Sequence, residues 1–206
     1  TSLAWNIRGE SAYYLDGQVF TAATAVQWLV DNDLLASAEA IDSLPDARGV
    51  MAAPGFAGYG APLWKPHATA SIAGLTLSHG KGEIARAMVD GIAAQVADLL
   101  GAIAADGVAV NELRVDGGLT QSHTLMQMQA DLAQVSIEVY PHPDATAMGV
   151  ANLAAMATNS ALNLGDFASA WKPSERYSPK WSADRAQSYL TKWRTLPANA
   201  MESAHE

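Results

Sequence analysis

The sequence predicts an α/β fold in which a mixed β-sheet is covered by helices on both faces. Segments with strand patterning and segments with helix patterning alternate along the chain, which is typical of this class. A chain of 206 residues with 50% hydrophobic content is also long enough to bury a large core. No internal repeat interrupts the alternation. We therefore expect one domain that spans residues 1 to 206.

Short apolar runs that are bounded by turn residues predict five strands. These runs cover residues 3–8, 12–15, 49–56, 112–115 and 135–140. The first two predict a hairpin at the start of the sequence. Because a two-stranded ribbon is only marginally stable alone, we expect strands that precede Thr1 to belong to its sheet, so that the domain lacks its first strands.

Apolar residues spaced three and four apart predict helices between these strands. The helical patterns cover residues 19–35, 82–105, 120–133 and 145–157. The last of these is rich in alanine and methionine, which suits close packing. A further amphipathic helix is expected near the end of the chain.

The charge balance limits the classes of partner. The 12 basic and 21 acidic residues give a net charge of −9, which repels nucleic-acid backbones, so we expect no nucleic-acid partner. A nucleotide is compatible with this charge, because backbone N–H groups and Mg²⁺ can hold phosphates. The absence of cysteine excludes disulfides and thiolate metal sites. No run approaches about 18 consecutive apolar residues, so we expect no membrane partner and a cytoplasmic location.

The strongest local motif is a buried strand that runs through two glycines into a helix, residues 115–131. Gly117 and Gly118 have no side chains, so the backbone can approach a ligand closely, and the start of a helix offers N–H groups that suit phosphate or ribose. The motif alone supports two interpretations equally. It is either a ligand-binding turn or a tight turn that needs glycine only for its dihedral angles. Thr120 or Ser122 can cap the helix.

A second candidate is the loop PGFAGYGAPLWKP, residues 54–66. Its glycine spacing does not match a dinucleotide-binding loop, and no helix begins there. Three aromatic side chains favour an ordered loop, and packing over an edge of the core is the better interpretation. The five histidines have no metal-ligand spacing, so the residues alone point to a nucleotide-like ligand and no more.

Five segments, in order along the chain, together resemble one family. They are GQVFTAATAVQWLVD (17–31), PGFAGYGAPLWKP (54–66), ASIAGLTLSHGKGEIARAMVD (70–90), RVDGGLTQSHTLMQMQAD (114–131) and DATAMGVANLAAMA (144–157). This set resembles the FGGY family of carbohydrate kinases and covers nearly the whole chain. Within the family, the loop segment is most similar to members that phosphorylate glycerol.

The resemblance implies a ribonuclease H-like, actin-like ATPase fold of two lobes, with ATP and Mg²⁺ in the cleft between them. The chain resembles the C-terminal, nucleotide-binding lobe, so the N-terminal lobe that carries the substrate site and the catalytic aspartate is expected to be absent. By resemblance, the complete protein transfers the γ-phosphoryl group of ATP to a hydroxyl of glycerol or a related polyol or sugar. Because this reaction depends on positioning, we expect the chain alone to be inactive.

The resemblance also assigns residues to the nucleotide site. Gly118 matches a glycine whose backbone contacts the nucleotide, with Gly117 beside it, and Gln27 matches a glutamine that lines the site. Ala23 replaces a glycine of the family pattern, and Ser122 replaces an asparagine near adenine. A serine has one hydroxyl in place of an amide, so the contact with adenine is lost, mediated by water or taken over by the preceding residue.

A third departure is Lys65, which replaces an aspartate of the family pattern and reverses a charge. The polyol-recognising residues belong mostly to the other lobe, so the sequence does not assign the substrate. Two further functions compete with the kinase lobe. One is a catalytically incomplete or degenerate actin-like nucleotide-binding module, and the other is an oligomerisation domain that binds no nucleotide. A homo-oligomer is compatible with the resemblance.

Overall fold

The computed structural model describes residues 2–142, 144–169 and 171–200. Strands occur at β1 (Ser2–Ile7), β2 (Glu10–Tyr14), β3 (Met51–Ala53), β4 (Ser71–Ala73), β5 (Glu112–Val115), β6 (Ser136–Val139) and β7 (Glu175–Tyr177). The α-helices are α1 (Ala23–Asp31), α2 (Lys81–Ala105), α3 (His123–Ala133), α4 (Ala145–Thr158), α5 (Leu164–Ser169), α6 (Ala183–Trp193) and α7 (Thr195–Ala198). Two 3₁₀ helices cover Ala38–Ser43 and Gly118–Gln121.

The strands form three small sheets. β1 pairs with β2 and β3 pairs with β4, both antiparallel. The third sheet is mixed, because β6 runs parallel to β5 with Val115 opposite Val139, and antiparallel to β7 with Ile137 opposite Tyr177. Within the described residues β1 pairs only with β2 and β5 only with β6, so each has an edge without a partner strand.

The β1–β2 hairpin is the least covered part of the fold. Leu3, Tyr13 and Tyr14 are 55%, 70% and 45% exposed, although aromatic and aliphatic side chains of this size are normally half-buried in a sheet. This exposure is consistent with a hairpin that packs against further strands. The expectation that strands preceding Thr1 complete its sheet stays a prediction.

Helix α2 is the centre of the core and packs against α1, α3, α6 and β3. Its buried face is rich in alanine, so neighbouring backbones can approach closely. The closest approach is at Gly91, where an added Cβ would lie 2.2 Å from the carbonyl oxygen of Ala52. By length and composition α2 could cross a membrane. However, 61% of its most apolar 18-residue stretch is buried within the protein, as is common for a core helix.

The C-terminal helices close the core over β3. Trp193, at the end of α6, is fully buried, and its indole N–H donates to the carbonyl oxygen of Ala52 at 2.9 Å. Beside it, the Arg194 guanidinium contacts the Asp98 carboxylate of α2 at 2.5 Å. These contacts fix the end of α6 to α2 and to β3.

Several elements differ from the sequence prediction. The first helix is Ala23–Asp31 rather than 19–35, because the Thr21 hydroxyl is bonded to the Pro54 carbonyl before the helix starts and Asp33 has a φ of 58° after it ends. α3 begins at His123 rather than 120, after a 3₁₀ helix. The strands β4 and β7 have three residues each, too few to show a periodicity in the sequence.

Two glycines of the same helix provide a matched test of this packing. Gly91→Ala is expected to destabilise the protein by about 2 kcal/mol, because its Cβ meets backbone that cannot move aside. Gly101→Ala is expected to stabilise it by about 0.5–1 kcal/mol, because the site is exposed, has only a 3.9 Å contact and gains helix propensity. Urea unfolding measures both, and equal effects would contradict the packing described here.

Candidate functional site

The turn after β5 requires glycine at one of its two positions. Gly117 has φ 98° and ψ 172°, a combination that is essentially restricted to glycine. The Gly117 carbonyl accepts hydrogen bonds from the N–H and the hydroxyl of Thr120, at 3.1 and 2.7 Å, which fixes the turn. The dihedral angles of the turn therefore explain Gly117 without a ligand.

The backbone conformation gives no comparable reason for a glycine at position 118. Its φ lies outside the left-handed region, and nothing lies within 4 Å of a Cβ added there. The fold would therefore accept alanine at this position. The structure thus separates the two interpretations of the glycine pair, since Gly117 shapes the turn and Gly118 leaves open space at the surface of a cavity.

Ser122 caps α3 from inside the fold. Its side chain is buried, and its hydroxyl oxygen accepts from the N–H of Leu125 at 3.2 Å. The same hydroxyl donates to Oδ1 of Asp42 at 2.8 Å. Of the two caps predicted from the sequence, the structure therefore selects Ser122.

Asp42 lies in a distant part of the chain and caps the beginning of α3. Its carboxylate accepts from the N–H of His123 at 3.1 Å and from the N–H of Thr124 at 2.8 Å. The prediction that the start of this helix presents free N–H groups to a phosphate is therefore wrong, because two side chains occupy them. A negative side chain at a helix N-terminus is favourable, which explains the arrangement.

These contacts also set the charge of Asp42. Partial burial raises the pKa of the carboxyl, but the hydrogen bonds from Thr124, Ser122 and His123 outweigh burial and leave the pKa below its usual value. The group is therefore ionised at neutral pH. An ionised carboxylate accepts hydrogen bonds and donates none.

A cavity of about 320 Å³ lies between the 3₁₀ helix Ala38–Ser43 and the start of α3. Its walls combine apolar side chains, two carboxylates and the open backbone at Gly118. The lining residues are Ala38, Glu39, Ile41, Asp42, Gly118, Leu119, Gln121 and Ser122. Apolar walls with a few polar groups suit a flat ring system, whereas the two carboxylates repel a phosphate.

The predicted site residues are only partly brought together. Gly118 and Ser122 line the cavity, and Gly117 precedes them in the same turn. Gln27 and Ala23 are exposed on α1 and do not line this cavity. The amide of Gln27 donates to Asp31 one turn along the helix, at 2.8 Å. The roles assigned to Gln27 and Ala23 stay predictions.

Tyr59 and Lys65 attach the 54–66 loop to the rest of the fold, although Trp64 is 74% exposed. The Tyr59 ring is 3% exposed, its hydroxyl donates to the Ala53 carbonyl at 3.0 Å, and burial raises its pKa to about 12. The ammonium group of Lys65, the charge-reversed position, donates to the Ala198 carbonyl at the end of α7, at 2.5 Å. These contacts support the interpretation of the loop as packing over the core.

A metal ion would need ligands from elsewhere. The described part of the chain contains no group of three His, Asp or Glu side chains that could hold a metal ion. Mg²⁺ in nucleotide sites is held largely by phosphate oxygens and water, with one or two carboxylates.

The fold and the sequence matches define this chain as a carbohydrate-kinase domain of the actin-like ATPase fold. The model of the FGGY family of carbohydrate kinases, C-terminal domain, matches residues 2–158. The chain belongs to this family, through its C-terminal domain. The family resemblance and the fold class predicted from the sequence are therefore confirmed.

Curated relatives are named as glycerol kinases. The glycerol kinase of Aromatoleum aromaticum is 38% identical over 94% of this chain, and that of Symbiobacterium thermophilum is 37% identical over the full chain. The predicted similarity to glycerol kinases within the family is confirmed. The chain spans 40% and 43% of the lengths of these two relatives.

Solved structures show the same fold. The glycerol kinase of Plasmodium falciparum, determined with ADP, superposes with a TM-score of 0.80 at 28% identity, over 89% of this chain and 38% of that chain. A xyloylose kinase from Brucella ovis superposes with a TM-score of 0.76 at 20% identity, over 88% of this chain and 39% of that chain. The second likeness concerns the fold alone.

No sequence motif predicts Asp42 and Glu39 as site residues. Both lie in the segment between the first helix and β3, where no motif was recognised and where a short 3₁₀ helix forms. The only local signal is a pair of acidic residues, which usually indicates a solvated surface. Asp42 contacts Ser122 across 80 positions of the chain, a distance over which the sequence gives no pairing information.

The glycine pair gives a second matched test. Gly117→Ala is expected to destabilise the protein by about 1–3 kcal/mol, because a Cβ is strained at φ 98° and ψ 172°. Gly118→Ala is expected to change stability by less than about 0.5 kcal/mol, because its Cβ meets open space. Chemical denaturation measures both free energies of unfolding. Equal destabilisation by the two variants would contradict the assignment of strain to Gly117 alone.

Proposed function

We propose that this chain is the ATP-binding lobe of a kinase that transfers the γ-phosphoryl group of ATP to a hydroxyl of glycerol or a related polyol or sugar. The observation that carries the proposal is the cavity beside Gly118 in a chain of the FGGY family. The relatives named glycerol kinase support the substrate class, and the Plasmodium enzyme determined with ADP supports the nucleotide.

Within this proposal the base enters the cavity and the phosphates stay outside it. Asp42 and Glu39 line the cavity, and two negative charges would repel the phosphate chain. Ile41 and Leu119 supply apolar walls for a purine ring. Gly118 has no side chain, so ribose and phosphate can pass close to its backbone at the side of the cavity.

The remaining parts of the reaction belong to the complete protein. We assign Gln27 and Ala23 to the nucleotide site by the family resemblance, and both are exposed on α1, so a ligand can reach them. Mg²⁺ would accompany the phosphates and neutralise their charge, with phosphate oxygens and water among its ligands. The substrate hydroxyl and the catalytic base would come from the N-terminal lobe, so the chain alone would be inactive.

An activity measurement distinguishes the kinase from a degenerate binding module on the same scaffold. Both bind nucleotide, but only the kinase transfers phosphate when the second lobe is present. The full-length protein should therefore phosphorylate glycerol, another polyol or a sugar with ATP and Mg²⁺. Nucleotide binding without transfer to any of these compounds would favour the degenerate module. An oligomerisation domain would bind no ATP at millimolar concentration.

Gly118→Asp tests the nucleotide site in the full-length protein. The substitution places a negative side chain where the backbone is expected to meet ribose and phosphate, so ATP affinity should fall at least about tenfold. Isothermal titration calorimetry measures the dissociation constant. Gly149→Asp is the matched control, because its added Cβ also meets open space and it does not line the cavity. Undiminished affinity in Gly118→Asp would contradict the proposed site.

A further inference from the structure

Asp42 lines the cavity with a carboxylate that can accept hydrogen bonds but cannot donate them, and hydrogen bonds fix its position. Oδ1 accepts from the Ser122 hydroxyl and the Thr124 N–H, both at 2.8 Å, and Oδ2 accepts from the His123 N–H at 3.1 Å. The Thr124 hydroxyl also bonds this carboxylate, and the Asp42 side chain is nevertheless exposed at the cavity. The carboxylate is therefore held by the protein and can still meet a ligand.

Ser122 is restricted to the same role. Its single hydroxyl hydrogen is donated to Asp42, and one lone pair accepts from the Leu125 N–H. Toward the cavity the hydroxyl can therefore accept a hydrogen bond but cannot donate one. An asparagine at position 122, as in the family pattern, would offer both a donor and an acceptor.

A ligand that enters between the apolar walls must therefore offer a hydrogen-bond donor to these two side chains. On a purine ring, the exocyclic amino group at position 6 of adenine is such a donor, whereas the carbonyl oxygen at the same position of hypoxanthine is an acceptor. Facing that oxygen, the carboxylate would be repelled and would lose a hydrogen bond without compensation. A purine that carries only a hydrogen at position 6 neither donates nor accepts there, so its affinity would be intermediate.

We propose that Asp42 selects the nucleobase of this site, by accepting a hydrogen bond from the 6-amino group of adenine. The inference rests on the proposed nucleotide-binding function and adds to it the residue that sets base selectivity. Asp42 takes this role jointly with Ser122, which it orients. The selectivity comes from a segment, Ala38–Ser43, that carries no recognisable nucleotide-binding motif.

The substitution Asp42→Asn changes the hydrogen-bonding character of the wall with little change in size. The amide oxygen is expected to keep the bonds from Ser122 and Thr124, so the NH₂ group takes the position of Oδ2 and the hydrogen bond from the His123 N–H is lost. That group donates, so it would disfavour the amino group of adenine and favour a carbonyl oxygen. The variant should therefore shift base selectivity rather than abolish binding.

The test uses the full-length protein and three nucleotides that differ at position 6: ATP, purine riboside triphosphate and inosine triphosphate. Dissociation constants are measured by calorimetry, and kcat and KM are measured with the best phosphoryl acceptor. The unmodified protein should bind ATP at least about tenfold more tightly than inosine triphosphate, with purine riboside triphosphate between them. In Asp42→Asn the ATP-to-inosine ratio should fall about tenfold, mainly through KM.

Glu39→Gln is the matched control, since Glu39 lines the same cavity and the change removes the same charge. It makes no hydrogen bond to α3 within the described residues, so the nucleotide ratio should stay unchanged. An equal shift in this control would show a general charge effect and overturn the proposal. An equal loss of all three nucleotides in Asp42→Asn would show a purely structural role and would also overturn it.

The unmodified protein tests the inference even if the variant fails to fold. Equal affinity for ATP and purine riboside triphosphate would show that no side chain accepts a hydrogen bond from the amino group. A preference for inosine triphosphate would show that another edge of the ring faces Asp42. Either result overturns the role of Asp42 while leaving nucleotide binding intact. Failure of the proposed function has a different signature, because none of the three nucleotides would then bind.

Discussion

The hydrogen bonds between the Asp42 carboxylate and the beginning of α3 hold the candidate site together. They join a 3₁₀ helix before β3 to a helix after β5, across 80 to 82 positions of the chain. Without them, two first-turn N–H groups of α3 and the Ser122 hydroxyl would need other partners, and no other hydrogen bond within the described residues would join the two walls of the cavity. The same bonds keep the carboxylate ionised. The shape and the charge of the cavity therefore have one origin.

The rest of the fold supplies a rigid base for this link. Helix α2 packs against α3 on one side and β3 on the other, with backbone in direct contact at Gly91. α6 then covers β3 through the buried indole of Trp193. Because the backbones approach each other closely in these contacts, α3 and β3 have little freedom to shift relative to α2.

The sequence predicted the parts of the site that follow local rules. A strand, two glycines and a helix are recognisable because glycine, helix periodicity and the cap at Ser122 act within a few residues of one another. Asp42 could not be found in this way, since its partners are distant in sequence and its own segment has no strong periodicity. For the same reason the start of α3 was predicted to be open, although a side chain from another part of the chain occupies it.

In the proposed complex the base lies between Asp42 and the Gly118 turn while the phosphates stay outside. A crystal structure of the full-length protein with ADP tests this placement. Density for the adenine ring is expected in the cavity between Ala38–Ser43 and α3, with its amino group within hydrogen-bonding distance of Asp42. ADP bound elsewhere with this cavity empty, or a phosphate group inside the cavity, would contradict this placement of the base.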